Sequence, residues 1–490
     1  MTAIETFISD VINDGVWQIL AWVLLAAGIY FGIRTAFVQF RMIPEMFRTV
    51  RQKSDPDAPD TDISPFKAFS ISAASRVGTG NIVGVAIAIS LGGPGAVFWM
   101  WMIALVGGAT SFVESTLAQL WKTKDADGFR GGPAYYMTRG LNARWLAVIF
   151  GLAITVTYGL VYNAVQTNSI VGAINTSIHE INGTQESAGM GVQIVIGALI
   201  AVITALIIFG GVQRIANVTQ IMVPVMASAY ILVGIVVLAL NITEIPGMFA
   251  DIVGHALGLK EFAGAAIGAA FMNGMRRGLF SNEAGQGSAP NAAATANVSH
   301  PAKQGLVQTL GVYFDTIIVC SITAFIILLS NPEFGSNTDS SLTQTALAGQ
   351  IGSVGVHIVT VILFFLAFSS VLGNYYLAQA NLQYFTNNKT VLVAFRVLVV
   401  MCVFGGAVGT VPLVWALADT FAATMVIINL IAIIPLGHVA FKLLKNYVDQ
   451  RKQGLEPVFH RDDIPGLRNV ELWDGSEPVT TREYWDAKKA

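Results

Sequence analysis

Unbroken apolar runs of about 20 residues recur along this chain, separated by short polar stretches. That is the length a helix needs to cross a hydrocarbon core of about 30 Å. A membrane barrel strand instead alternates apolar and polar positions over about ten residues, and runs such as AVITALIIF at 201–209 do not alternate. The pattern predicts an all-α polytopic membrane protein with about eleven transmembrane helices. They fall roughly at 17–40, 65–91, 95–121, 145–177, 191–210, 215–240, 262–285, 305–329, 354–385, 391–411 and 412–441. The first run is expected to stay as a span, because Glu5, Asp10 and Asp14 stand where a cleaved leader would be basic.

Composition agrees. Of 490 residues 54% are hydrophobic and 12% charged, against about 25% charged in a soluble domain. The net charge of -2 decides little; its placement decides more. Arg41, Arg48, Arg51, Lys53 and Lys67 follow the first span, and Lys122, Lys124, Arg130, Arg139 and Arg144 follow the third, whereas 172–190 and 330–353 contain no Lys or Arg. Basic short loops mark the cytoplasmic side. The expectation is a bacterial-type cytoplasmic (inner) membrane protein with its amino terminus outside and its carboxyl terminus in the cytoplasm. Cys320 and Cys402 both lie inside spans and imply neither a disulfide framework nor a metal site.

With the first span set aside, ten remain, and the outside loop at 241–261 divides them into two sets of five. The chain thus reads as a leading helix and loop (1–64), a first five-helix set (65–240), a second of opposite topology (241–441) and a cytoplasmic tail (442–490). Each set opens on an interrupted span: SRVGTGNIVG at 75–84 and NGMRRGLFSNEAGQG at 273–287. Corresponding interrupted spans point to an inverted-repeat transporter with its site at the midplane. A single glycine in a span often serves only close helix packing. Gly78, Thr79, Gly80 and Asn81 together do more, since glycine weakens the helix while Thr and Asn compete for backbone hydrogen bonds.

Unwound backbone in mid-membrane must line a cavity or meet a polar partner. The outer half of the first broken span, starting near Gly80, offers free N–H groups that suit a carboxylate. The inner half ends near Val77 with carbonyls that suit a small cation. The second break is expected near Phe271 to Gly274, with carbonyls positioned to accept from an ammonium. Asn81 and Gln166 are uncharged polar groups suited to bonds across helices or to a ligand, and Ser369 and Ser370 add hydroxyls on a late span. Ionisable residues within spans include Arg76, Glu114, Arg276, Arg277, Glu283, Asp315, Arg396 and Asp419. Among them Arg76, Arg276, Arg277, Glu283 and Asp315 read as gating or structural ion pairs, with Arg276 and Arg277 set to pair with Glu283 or Asp315.

GGPGAVFWMWMIALVG at 92–107 resembles the signature of the alanine or glycine:cation symporters, also called the sodium:alanine symporters. GTGNIVGVA from Gly78, GGPAYYM from Gly131, RRGLFSNEAGQGSAP from Arg276 and WALADTFAATM from Trp415 are similar to further blocks of that family, across about 65–435. The resemblance implies a leucine-transporter-like fold of five-plus-five inverted repeats with one additional leading helix. It implies substrate contacts from Thr79, Gly80, Asn81, Gln166, Phe271, Gly274 and Ser370. It also implies a sodium site from the carbonyls of Ala74 and Val77 with the hydroxyls of Ser369 and Ser370. Where the family pattern is like FSTxxGW, this chain reads FSSVLGN. Asn374 in place of the indole enlarges the pocket, adds an amide and opens it to a larger or more polar substrate.

The resulting expectation is sodium-coupled symport of a small neutral amino acid: alanine or glycine, or a polar one such as glutamine or serine. Sodium is the coupling ion and no cofactor is implied. The partners are the amino acid, sodium and the lipid bilayer, with no nucleic acid and no obligate protein partner. Proton coupling is the alternative, through Glu114, Asp315 or Asp419. An embedded enzyme is disfavoured because no H-E-x-x-H, paired His cluster or nucleophile motif occurs in a span, so no catalytic residue is named. A channel is disfavoured because no filter repeat is visible.

Overall fold

The computed structural model describes residues 7–52, 62–125, 128–183, 189–260, 264–332, 334 and 341–488. It is almost entirely helical, apart from a two-stranded ribbon, Thr123–Asp125 with Gly128–Arg130. The principal helices in chain order are α1 (Asp14–Arg34), α2 (Ile43–Val50), α3 (Pro65–Arg76), α4 (Val85–Gly92), α5 (Gly95–Leu120), α6 (Arg144–Val156), α7 (Tyr162–Asn182), α8 (Met190–Ile208), α9 (Val212–Leu240), α10 (Gly264–Asn282), α11 (Ala302–Val312), α12 (Ser321–Leu328), α13 (Val354–Phe385), α14 (Lys389–Val408) and α15 (Val411–Lys452). Among the described residues nine helices are long and apolar enough to cross a membrane, and ten when the bent pair α3 and α4 counts as one span. The polar groups of Asn273, Arg276, Arg277 and Asn282 keep the 19-residue α10 out of that count. It nevertheless packs extensively on α5.

Small residues set the closest crossings. Gly274 and Gly278, four apart on one face of α10, lie against α5, where a Cβ at Gly274 would stand 2.4 Å from the Ala96 carbonyl oxygen. Such small-residue faces let helix backbones approach where lipid gives no hydrophobic drive. The long α13 packs on α7 and α3, so the late span with the serine pair runs beside the first broken one.

The interruption of the second opening span differs from expectation. α10 continues unbroken through Phe271 and Gly274 to Asn282. The chain leaves helix only at Glu283, Gly285 and Gly287, whose φ angles are +55°, +86° and +82°, before the short helix Ala289–Ala293. Left-handed backbone is where glycine is favoured, and two of these three positions are glycine.

The tail is also ordered. Phe459 and Trp473 are buried, and the Trp473 indole donates to the Gln119 carbonyl at 3.3 Å. Glu456 pairs with Lys303 and Arg48 and accepts from Gln52 Nε2 at 2.8 Å. The Phe459 N–H donates to the Ser299 carbonyl at 2.9 Å. This strap joins the ends of α2, α5 and α11. Burial alone raises the Glu456 carboxyl, but Lys303 and Arg48 outweigh it and hold the group at about 2.

Candidate functional site

The first broken span is the centre of the site. Ser64 caps α3 by accepting from the Lys67 N–H at 3.1 Å, with Pro65 at the first helical position. The helix ends at Val77, whose ψ of 89° is non-helical. It restarts in a π-helical turn, Gly80–Gly84, that leads into α4, and the two halves are bent by 54°. Side chains maintain the break. Asn81 Oδ1 accepts from the Gly78 N–H at 2.8 Å, turning that donor away from the Ala74 carbonyl four residues back. Gln166 Oε1, from α7, accepts from the Thr79 N–H at 3.0 Å and the Thr79 hydroxyl at 2.6 Å. The Asn81 carbonyl accepts from Thr323 at 2.6 Å.

The serine pair faces the break. The Ser370 hydroxyl lies 3.3 Å from the Val77 carbonyl and 3.2 Å from that of Leu366, while Ser369 donates to Leu366 at 2.8 Å. Gly78 meets Ser370 so closely that a Cβ there would lie 2.1 Å from its hydroxyl oxygen and 2.9 Å from Gln166 Oε1. One turn along α13, Gly373 packs on Ala74 and Ser75. Asn374 Oδ1 accepts from the Ser75 hydroxyl at 2.9 Å, while its Nδ2 has no partner among the described residues. Thr79, Asn81, Ser369, Ser370 and Asn374 are fully buried.

Two carboxylates border the break. Asp315 accepts from Asn81 Nδ2 and the Ser281 hydroxyl, both at 2.6 Å, and from Thr316 at 3.0 Å. Glu283 accepts from Ser75 at 3.3 Å and from Ser288 at 2.6 Å, tying the first break to the second. The second break is held in turn by Glu114, which accepts from the Gly285 N–H at 3.1 Å and from Asn429 at 2.7 Å.

The expected arginine pairings are corrected. Arg276 pairs with Asp14 at 2.7 Å, and Arg277 with buried Asp419, neither with Glu283 or Asp315. Arg76 bonds the Ser72 hydroxyl and the carbonyl and amide oxygens of Gln308. Arg277 also lies over the Trp415 ring, 4.8 Å from its centroid. Trp415, Phe280 and Tyr162 form a run of ring contacts at 5.0 Å that comes down on Gly80, where a Cβ would be 3.0 Å from Phe280.

The structure therefore brings Ala74, Val77, Thr79, Gly80, Asn81, Gln166, Ser369, Ser370 and Asn374 together, with Glu283 and Asp315 beside them. It does not bring Phe271 or Gly274 there. Phe271 stacks on Trp22 at 4.6 Å and meets Trp99 edge-on at 4.9 Å, and Gly274 is occupied in packing against α5. The residues sequence reasoning missed at the break are Ser75, Phe280, Ser281 and Thr323. The first three sit within the two interrupted motifs, which was the available signal; Thr323 carried none. Among the described residues no group of three or more His, Cys, Asp or Glu side chains could hold a metal ion. The oxygen donors at the break are carbonyls and hydroxyls, the hard ligands that suit a small cation travelling as co-substrate.

The chain is similar to known proteins. MhsT, solved in complex with L-phenylalanine, aligns with a TM-score of 0.54 at 14% identity, over 80% of this chain and 91% of that one, so the fold is leucine-transporter-like. The amino-acid carrier protein AlsT of Bacillus subtilis is 50% identical over 473 residues, covering 96% of this chain and 98% of that protein. The probable sodium/glutamine symporter GlnT of Bacillus subtilis is 46% identical over 482 residues, 98% of each. Residues 1–461 match the family described as the sodium:alanine symporter family. This multi-pass membrane protein belongs to the sodium:alanine symporter family.

Proposed function

We propose that this protein carries a small neutral amino acid into the cytoplasm together with sodium, by alternating access around the break at Val77 to Asn81. The carrying observation is the meeting of the inner helix end with the serine pair, where the Ser370 hydroxyl lies 3.3 Å from the Val77 carbonyl. The substrate carboxylate takes the N–H groups of Thr79 and Gly80 at the positive end of the outer half. Sodium takes the carbonyls of Ala74 and Val77 with the hydroxyls of Ser369 and Ser370. Asn81 orders the loop between them, and Gln166 holds the Thr79 donors until substrate arrives. Asn374, whose amide is unpaired among the described residues, favours a substrate that can accept a hydrogen bond, which fits a relative named for glutamine. Phe271 and Gly274 have no part in this reading.

Arg277 with Asp419, beneath Trp415 and Phe280, forms the outer closure, and the tail strap reinforces the inner one. In this reading the amino terminus is outside and the carboxyl terminus in the cytoplasm, which the basic loops support. The sets 65–240 and 241–441 act as the inverted repeats, each opening on the span that breaks. A second reading, proton coupling, is favoured by one observation: the buried Asp315 carboxylate sits within hydrogen-bond distance of Asn81. Uptake into proteoliposomes separates the two. A sodium gradient without a pH gradient should drive alanine, glycine, serine or glutamine inward; uptake driven only by a pH gradient overturns sodium coupling, and no uptake of any of them overturns the substrate class.

A further inference from the structure

On the flank of the bundle away from the break, α2, α3, α9 and the turn Tyr313–Cys320 enclose a groove of about 960 Å³. Its walls are apolar, with Phe47, Phe66 and Ile318 exposed at its rim. At one end stand Arg51, Gln52 and Ser64, before the first turn of α3. At the other are Ile231 and Ile318, midway along their spans. The groove therefore runs from one membrane surface to about the bilayer centre, the depth of a single leaflet, roughly 15 Å. Pro224 lines it within α9; lacking an N–H, it leaves the Gln220 carbonyl without its helical donor.

Two polar features mark what fills it. Arg51 is exposed at the mouth and makes no salt bridge among the described residues. Ser70 lines the groove at 2% exposure, with its hydroxyl unpaired among the described residues. It lies six residues into the span from Ser64, about 9 Å at the helical rise. A buried unpaired hydroxyl is costly and calls for a partner.

We propose that this groove is a binding site for one anionic glycerophospholipid. Its phosphate sits at Arg51, an ester carbonyl accepts from the Ser70 hydroxyl, and an acyl chain fills the apolar length beside Pro224. The charge at the mouth selects an anionic over a zwitterionic headgroup, and the walls select hydrocarbon over a peptide or a soluble metabolite.

The test is native mass spectrometry of the delipidated full-length protein titrated with phosphatidylglycerol or phosphatidylcholine of the same acyl chains. The native chain should retain one phosphatidylglycerol about fivefold better than phosphatidylcholine. Arg51→Gln should erase that preference, and Ser228→Trp, whose indole would occupy the groove, should lower retention of both lipids. Ala227→Leu serves as the milder filling variant should the indole prevent folding. Equal retention of the two lipids by the native chain overturns the anionic assignment. Retention unchanged in Arg51→Gln and in the filling variants overturns the site. The readout does not depend on transport, so it stands apart from the sodium-symport reading.

Discussion

Gln166 accepts two hydrogen bonds from one residue, from the Thr79 N–H at 3.0 Å and the Thr79 hydroxyl at 2.6 Å. A neutral amide oxygen thus occupies the donors proposed for the substrate carboxylate, which on that reading displaces it. Gln166→Glu would place a charged oxygen there, and charge-assisted hydrogen bonds are about twice as strong as neutral ones. This variant should raise the substrate KM about tenfold or more at pH 7, whereas Gln166→Ala, which frees the Thr79 donors, should not raise it. Equal KM values for Gln166→Glu and the native protein in proteoliposome uptake would separate Gln166 from the carboxylate site.

Ser370→Ala removes the hydroxyl facing the Val77 carbonyl. Loss of one ligand to a small cation should raise the sodium concentration for half-maximal uptake about threefold to tenfold, the scale of one hydrogen-bonding group. Sodium titration of uptake at saturating amino acid is the measurement. Unaltered sodium dependence removes Ser370 from the cation site.

Asn374 is buried and its Nδ2 lacks a partner among the described residues. Asn374→Leu, of similar size, should leave alanine uptake near native and lower glutamine uptake about tenfold or more, since a site that hydrogen-bonds its substrate discriminates sharply. Asn374→Trp should narrow the range toward alanine and glycine while costing about 1–3 kcal/mol of stability from overpacking. The same ranking of alanine, glycine, serine and glutamine in all three proteins would show that Asn374 does not set specificity.

The tail strap has its own pH signature. Glu456 is held at about 2, below the usual value of about 4.3. Its stabilisation is therefore fully present above that usual value and is lost as pH falls toward 2. Docking of residues 455–488 should be constant from about pH 5 to 8. Glu456→Ala leaves buried Lys303 without its carboxylate, a loss of about 3 kcal/mol or more. Limited proteolysis of the detergent-solubilised protein should then release the tail faster than in the native chain. Native-like resistance in the variant, or release of the native tail near pH 6, would contradict the role given to Glu456.

Much of this was legible in the sequence where the signal is local. Apolar run lengths revealed the spans, and Gly78, Thr79, Gly80 and Asn81 revealed the first break because their side chains act on their own backbone. The second break was misplaced because glycines do two jobs. Gly274 and Gly278 serve packing, while Gly285 and Gly287 adopt the left-handed backbone that ends the helix, and spacing of four was the clue that separates them. The partner of Arg277 was not legible, since Asp419 lies 142 residues away. Nor was the docked tail, which lacks helical periodicity and is anchored by isolated aromatics, Phe459 and Trp473.

At Gly78 the space for even a methyl group is taken by Ser370 and Gln166. In a library of randomised genes selected for growth on the imported amino acid, codon 78 should survive only as glycine. Codon 79 should accept serine, which keeps the hydroxyl aimed at Gln166. Revertants of Gly78→Ala should arise at Ser370 or Gln166 before anywhere else, because those are the atoms in the way. The inheritance of this transporter is thus constrained at a position that contributes no side chain.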